Sequence, residues 1–274
     1  MKKLDRLGWA DGVAFSAFGN RIGIRVSGAP LPDELLSPLP CASETLPACA
    51  TVDHLYSLLL QPEPEQSRVR KFNLAYSGAS LIGRSLDRQQ VITHLTSDLH
   101  RYVAEFSRRE LFVHAGVVAW NGRAIVLPGA SFSGKSTLVA ELTRAGATYF
   151  SDEYAVLDRA GRVHPYPRPL MLRDDQFTNH VISQSFHNGT SAKPLPVGLV
   201  LFTNFRDGAQ WRPRKLSQSR TILGLLSHTV QARTRSRAAL SILQRIAKNC
   251  ESIMGARGEA HPTATALLAK FEGS

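Results

Sequence analysis

Eight residues near the middle of the chain, Gly129-Ala130-Ser131-Phe132-Ser133-Gly134-Lys135-Ser136, constrain its fold more than any other stretch. They spell G-x-x-x-x-G-K-[ST], which works as a phosphate-binding loop only when a strand precedes it and a helix follows. Both neighbours are present. Ala124–Leu127 is apolar and strand-sized, Leu138 and Leu142 lie one helical turn apart, and Gly146 suits the position just past a helix end. In such a bend the backbone N–H groups and the positive end of the helix face a phosphate. Lys135 reaches the β- and γ-phosphates and Ser136 ligates Mg²⁺ through its hydroxyl. The nucleotide-binding set read from the sequence therefore runs from Gly129 through Thr137.

The flanks of the loop decide what kind of sheet carries it. Leu111–Trp120 and Arg123–Leu127 are apolar runs separated by Asn121-Gly122, a strong two-residue hairpin signal. Beyond Gly146 come strands over Thr148–Phe150 and Tyr154–Leu157, a turn at Asp158–Gly161, and a return strand over Arg162–His164. Hairpins on both sides speak against an all-parallel sheet. Asp152 and Glu153, seventeen and eighteen residues after Lys135, follow the first of these strands. Acids there hold Mg²⁺ or accept a proton from an attacking hydroxyl; the alternative is a solvated strand end. No Asn-Lys pair occurs anywhere, so the guanine reader of GTPases is absent.

Upstream the chain reads as β-rich. Gly12–Phe18 and Arg21–Ser27 flank Gly19-Asn20 as a hairpin, with Ile22, Ile24 and Val26 alternating against polar neighbours. The connection from Pro30 to Pro64 holds seven of the fifteen prolines, interrupted by a strand near Val52–Leu60. Val69–Tyr76 and Ser80–Gly83 form a further strand pair around Gly78. A helix follows: Asp87 with Gln90 makes a capping-box-like start, and Val91, Leu95, Leu99, Val103 and Phe106 form one apolar stripe. The division drawn from these textures is a β-rich region over 1–106 and a loop-bearing region over 107–274. The tail reads as mainly helical, over Ile222–Val230, Arg237–Lys248 and Pro262–Phe271, with Pro262 suited to a first helical position.

Composition narrows the classes. No apolar run approaches the roughly 18–20 residues a bilayer span needs, and no secretory signal stands at the N-terminus. Cys41, Cys49 and Cys250 fit neither a zinc site nor a disulfide framework, which points to the cytoplasm. The net charge is +11, and between Phe205 and Cys250 ten Lys or Arg stand against one acid. Such a field suits polyanions or a solvated helix face. Nucleic acid is not expected, because no nucleic-acid motif accompanies the charge.

The ordered pattern Leu-Phe-Val-His114-Ala-Gly116, a hairpin, the loop Gly129–Ser136, then Asp152-Glu153 resembles the C-terminal domain of HPr kinase/phosphorylase, and especially its shorter HPr-kinase-like relatives. The likeness is strong over about Leu111 to Leu172. It implies an α/β fold of the HPr kinase/PEP carboxykinase-like type, with a mixed, hairpin-rich sheet and a helical C-terminal part. Carried over residue by residue, His114 is the active-site His beside the phosphates, and Lys135 and Ser136 contact phosphate and metal. Asp152-Glu153 replaces an Asp-Asp pair that supplies the base and organises the metal. The longer Glu153 leaves open which acid is the base, and Phe132 stands where the family often has Gly. Read without the family, His114 between Val113 and Ala115 is equally a hydrogen-bonded core residue. Arg168 and Arg173 are candidate clamps for a phosphate or carboxylate, or solvated arginines on a proline-stiffened loop. The segment Arg173–Lys193 reads as a lid, and its His180 and His187 lack metal-ligand company.

These features lead to an expectation. The catalytic set is His114, Lys135, Asp152 and Glu153; Ser136 and Asp152 hold Mg²⁺; the cofactor is ATP. The activity expected is transfer of the γ-phosphoryl group to a serine of a peptide or small protein, a ribosomal peptide precursor among them. A small-molecule kinase on the same scaffold, or a nucleotide-binding regulator without catalysis, is the alternative. No membrane partner is expected, and the hexamers of the larger relatives leave a homo-oligomer open.

Overall fold

The computed structural model describes residues 4–36, 39–40, 43–47, 50–61, 71–129, 133–168, 170–173, 179–182 and 193–272, the side chains of 171–182 and 271–272 excepted. Among the described residues the fold is mixed α/β, with mixed sheets and six α-helices. The chain divides into two compact units, Met1–Arg109 and Glu110–Ser274.

In the first unit β1 (Asp11–Ala17) and β2 (Asn20–Ser27) form the expected hairpin, but its turn is Phe18-Gly19. Ala17 pairs with Asn20, and both turn residues have positive φ, 50° and 84°. That is the backbone hand a two-residue hairpin requires, so Asn20 is freed to begin the strand. A short α1 (Asp33–Leu36) and β3 (Glu44–Thr45) follow, then β4 (His54–Leu59), β5 (Asn73–Ser77) and β6 (Ser80–Ser85). They make a six-stranded sheet in the order β3-β1-β2-β4-β5-β6, antiparallel except where β2 runs parallel to β4. Against it lies α2 (Arg88–Phe106), which buries Val91, Leu95, Leu99 and Val103; Phe106, expected to end the same stripe, is half exposed. Asp87 caps α2 by accepting from the Gln89 N–H, while Gln90 reaches back only as far as Ser85 Oγ. Ser85 Oγ in turn accepts from the Asp87 N–H at 3.0 Å, so the reciprocal half of the box runs through a serine.

The second unit opens with β7 (Leu111–Trp120) and β8 (Arg123–Pro128), joined by Asn121-Gly122 with φ of 48° and 73°. Then come α3 (Lys135–Arg144), β9 (Thr148–Ser151), β10 (Tyr154–Leu157) and β11 (Arg162–His164). A ribbon pairs β12 (Leu170–Arg173), which ends where the stretch read as a lid begins, with β13 (Asn179–Ile182) inside it; residues 174–178 and 183–192 of that stretch, His187 among them, lie outside the described residues. The chain continues through β14 (Leu195–Phe205), β15 (Arg214–Lys215), α4 (Gln218–Ser227), α5 (Ser236–Asn249), β16 (Glu251–Arg257) and α6 (Ala260–Glu272).

The sheet runs β11-β10-β7-β8-β14-β16-β15, with β9 also on β7 and β11 also on β14. The hairpin pairs are antiparallel, whereas β8–β14 and β14–β16 are parallel. Side chains alternate between two apolar layers, as a strand period of two demands. Val113, Ala115, Val117, Ala124 and Val126 pack with Leu225, Ile242 and Leu243 of α4 and α5. Val118, Ile125 and Leu127 pack with Leu138, Leu142 and Leu267 of α3 and α6. At roughly 1.5–3 kcal/mol for each large side chain removed from water, these two layers fix where every strand end lies.

The tail is less purely helical than its composition suggests. Glu251–Arg257 reads as a link between helices, yet it is a seven-residue strand in register with β14. Pairing with an already buried neighbour overrides its weak strand signal. Pro262 stands third in α6, still among the first-turn positions whose N–H has no helical partner. Cys250 is a free thiol, and Cys41 and Cys49 lie outside the described residues. Among the described residues no helix is long and apolar enough to cross a membrane.

Candidate functional site

One strand gathers the candidate residues. β7 lies between β8 and β10, so His114 has the loop on one side and the acidic turn on the other. The His114 carbonyl accepts from the Gly129 N–H at 3.3 Å, where β8 passes into the loop. On the other edge Tyr154 pairs with His114, and the Ala115 N–H donates to the Glu153 carbonyl at 3.1 Å. The third contact comes from the end of α4, where the His228 carbonyl accepts from the His114 N–H at 2.8 Å. His114 is not a core residue: within a run of buried neighbours it keeps part of its surface open to solvent, while its ring, tilted against Tyr154 at 4.9 Å, is partly shielded.

The loop ends in a left-handed residue. Gly134 has φ 77° and stands at the N-cap of α3, where no side chain caps the helix. The first-turn N–H groups are therefore left for an anion. Lys135 folds back so that its Nζ donates to the Gly129 carbonyl at 2.8 Å, closing the bend. Ser133 Oγ is buried without a hydrogen-bond partner among the described residues. Thr137 is exposed, and Ala130, Ser131 and Phe132 lie outside the described residues.

Across from the helix start stands the acidic turn between β9 and β10. Ser136 Oγ donates to Asp152 Oδ2 at 3.3 Å, and the Tyr149 hydroxyl lies 3.1 Å from Asp152 Oδ1. That hydroxyl is also 2.8 Å from the Arg168 carbonyl, so its single proton is shared between two acceptors. The Arg168 guanidinium makes an ion pair with the Glu153 carboxylate, which is 40% exposed. The side chain of Arg173, the other proposed clamp, lies outside the described residues.

Electrostatics follow from burial. Asp152 is pushed above the ordinary Asp value by desolvation, which outweighs Tyr149, Arg168 and Ser136. Burial lowers the Lys135 ammonium, with Asp152 opposing. His114 is held below 6.5 by burial first, then by the charges of Lys135 and His228; His228 is lowered by burial and Lys135. The two imidazoles are thus disposed to be neutral at pH 7, beside a lysine.

The donors suit Mg²⁺. That ion keeps several waters and takes one or two protein oxygens plus phosphate, not an all-protein cage. A serine hydroxyl facing one carboxylate at a helix start is such a set. Among the described residues no group of three or more His, Cys, Asp or Glu gathers as a cage.

Three residues were not legible beforehand. Tyr149 is a strand aromatic whose hydroxyl matters only because Asp152 lies three residues on. His228 sits at a helix end far off in sequence. Arg257 ends β16 and is 2% exposed, yet it carries a charge. Its Nη2 donates to the Gly134 carbonyl at 2.7 Å and its Nη1 to the Gly258 carbonyl at 2.9 Å, while Nε is buried without a partner among the described residues. Nothing in the basic tail distinguished it from its exposed neighbours.

No family model and no curated protein matches the chain. Among solved structures it is similar to the Hpr(Ser) kinase/phosphatase from Coxiella burnetii, with a TM-score of 0.34 and 14% identity, covering 59% of this chain and 95% of that one. So distant a likeness transfers no residue role.

Proposed function

We propose that this chain is an ATP-dependent kinase that moves the γ-phosphoryl group to a hydroxyl, with a serine of a peptide or small protein as the acceptor. The observation that carries the reading is the contact between Ser136 Oγ and Asp152 Oδ2 at the uncapped start of α3, with Lys135 folded over the same bend. A helix start, a lysine and a carboxylate-faced serine are the parts that phosphoryl transfer asks of a protein, since positioning and charge stabilisation dominate its catalysis. The narrower reading, a short HPr-kinase-like serine kinase, is supported by the order of His114, loop and acidic pair along the chain.

In this reading Lys135 and the first-turn N–H groups of α3 bind the phosphate tail. Ser136 and Asp152 hold Mg²⁺, which when bound neutralises charge on the phosphates. Glu153, more open to solvent and oriented by Arg168, receives the proton of the acceptor hydroxyl. A neutral His114 orients a phosphate oxygen, and its pKa rises once the anion is beside it.

The test is transfer of label from γ-labelled ATP, with Mg²⁺, to a panel of serine peptides. Wild type labels a peptide serine. Lys135→Ala lowers transfer about 100-fold or more, the scale of one lost transition-state donor. Glu153→Gln lowers kcat with little change in ATP affinity. Transfer that survives Lys135→Ala, Asp152→Asn and Glu153→Gln alike would remove the assignment.

A further inference from the structure

Arg123 opens β8 at the end opposite the loop. A six-residue strand at about 3.3 Å per residue sets it roughly 20 Å from Gly129. There Arg123, Arg162 on β11 and Arg245 on α5 line one cavity of about 190 Å³, with Pro196, Val197 and Ile246 as its apolar part.

The sheet itself forms this hollow. β11 closes onto β14 at this point, pairing Arg162 with Pro196 and Val163 with Leu195. The pairing of β14 with β8 then slips between Val197 and Leu199, leaving Gly198 out of register. A Cβ at Gly198 would stand 2.9 Å from Arg123 Cβ and Cδ, so only glycine lets the Arg123 stem lie across the strand.

No carboxylate lines the cavity. Asp158, beside it, accepts from Arg162 Nε at 2.8 Å, approaches His164 Nε2 at 3.4 Å and offsets one positive charge. The guanidiniums of Arg123 and Arg245 have no ion pair or hydrogen bond among the described residues; Asn249 Nδ2 donates to the Arg245 backbone carbonyl. Three arginines therefore line a single concavity, two of them without an ionic partner among the described residues and one shared with Asp158. Like charges on one hollow repel, and the planar guanidinium fork matches phosphate oxygens.

We propose that this cavity binds a phosphate dianion, free or as the head of a small phosphomonoester, at a site separate from the triphosphate loop. The net charge of two positives matches a group carrying about −1.5 to −2 at pH 7. A volume near 190 Å³ equals roughly six water volumes, room for a phosphate and a short tail but not a nucleotide.

The test titrates inorganic phosphate, and separately glycerol 3-phosphate, into the full chain carrying Lys135→Ala, which silences the loop. Saturable binding is expected, weakened about tenfold or more by each of Arg123→Gln and Arg245→Gln, the weight of one charge-assisted hydrogen bond. Both arginines are exposed, and melting in phosphate-free buffer verifies that the variants fold. Tighter binding of the monoester than of phosphate identifies the esterified source, and the reverse identifies the free ion. Affinity unchanged by both substitutions, or no saturable binding of either probe up to about 10 mM, would overturn the proposal.

Discussion

At the scale of single residues the site is a set of groups held away from their ordinary ionisation, and each shift has a measurable consequence. Burial raises Asp152, so its charged form is disfavoured in the fold and destabilises it at pH values above its raised pKa. Asp152→Asn removes that charge and keeps one acceptor oxygen for Ser136, while its NH2 faces the Tyr149 hydroxyl, whose own proton can go to the Arg168 carbonyl. It is expected to raise the ligand-free melting temperature at neutral pH and to abolish Mg²⁺-dependent transfer, a stability–function trade. The imidazoles carry the opposite sign on the acid side. His114 and His228 both lie below 6.5 in the fold, so protons bind the unfolded chain more readily. Stability then falls as pH drops below about 7, and His114→Gln with His228→Gln flattens that fall, read from urea midpoints. An unchanged slope would show that neither ring is held neutral.

At the scale of elements the site is a consequence of which strands are neighbours. The motif, the Asn121-Gly122 hairpin and the acidic turn were legible because each is local: a glycine pattern, a turn dipeptide, a strand followed by two acids. The placement of β7 between loop and acids was legible only in part, from the two hairpins, since strand order is a non-local property. β16 was invisible because Glu251–Arg257 has little strand character of its own and gains its pairing from β14. Its loss from the sequence reading hid Arg257, the group that holds the Gly134 carbonyl. Two changes test this junction. Gly134→Ala places a Cβ 2.5 Å from Arg257 Nη2 at φ 77° and is expected to cost about 1–2 kcal/mol, measured by denaturant midpoint. Arg257→Met removes the donor and the unpartnered Nε together; the expectation is a retained fold with ATP binding weakened about tenfold.

At the scale of the whole molecule, His114, the loop, the acidic pair, His228 and Arg257 all fall within Glu110–Ser274. The first unit has its own sheet, helix and core. Its β-rich texture was readable from alternation and turns, whereas its task was not, because no residue pattern in it carries chemistry. The excess of basic charge says only that anions are favoured, and the structure distributes it among unlike uses: Lys135 in the bend, Arg257 buried behind Gly134, Arg123 and Arg245 at the far cavity. The central claim is that Ser136 and Asp152 together hold the metal of a bound nucleotide. Its most direct test is the affinity of the full chain for ATP, measured with and without Mg²⁺, in wild type, Ser136→Ala, Asp152→Asn and the double variant. The account predicts that Mg²⁺ tightens ATP binding in wild type and that either single change removes this effect, the double adding nothing further. Binding that ignores Mg²⁺ in wild type, or a Mg²⁺ effect intact in Asp152→Asn, would contradict it.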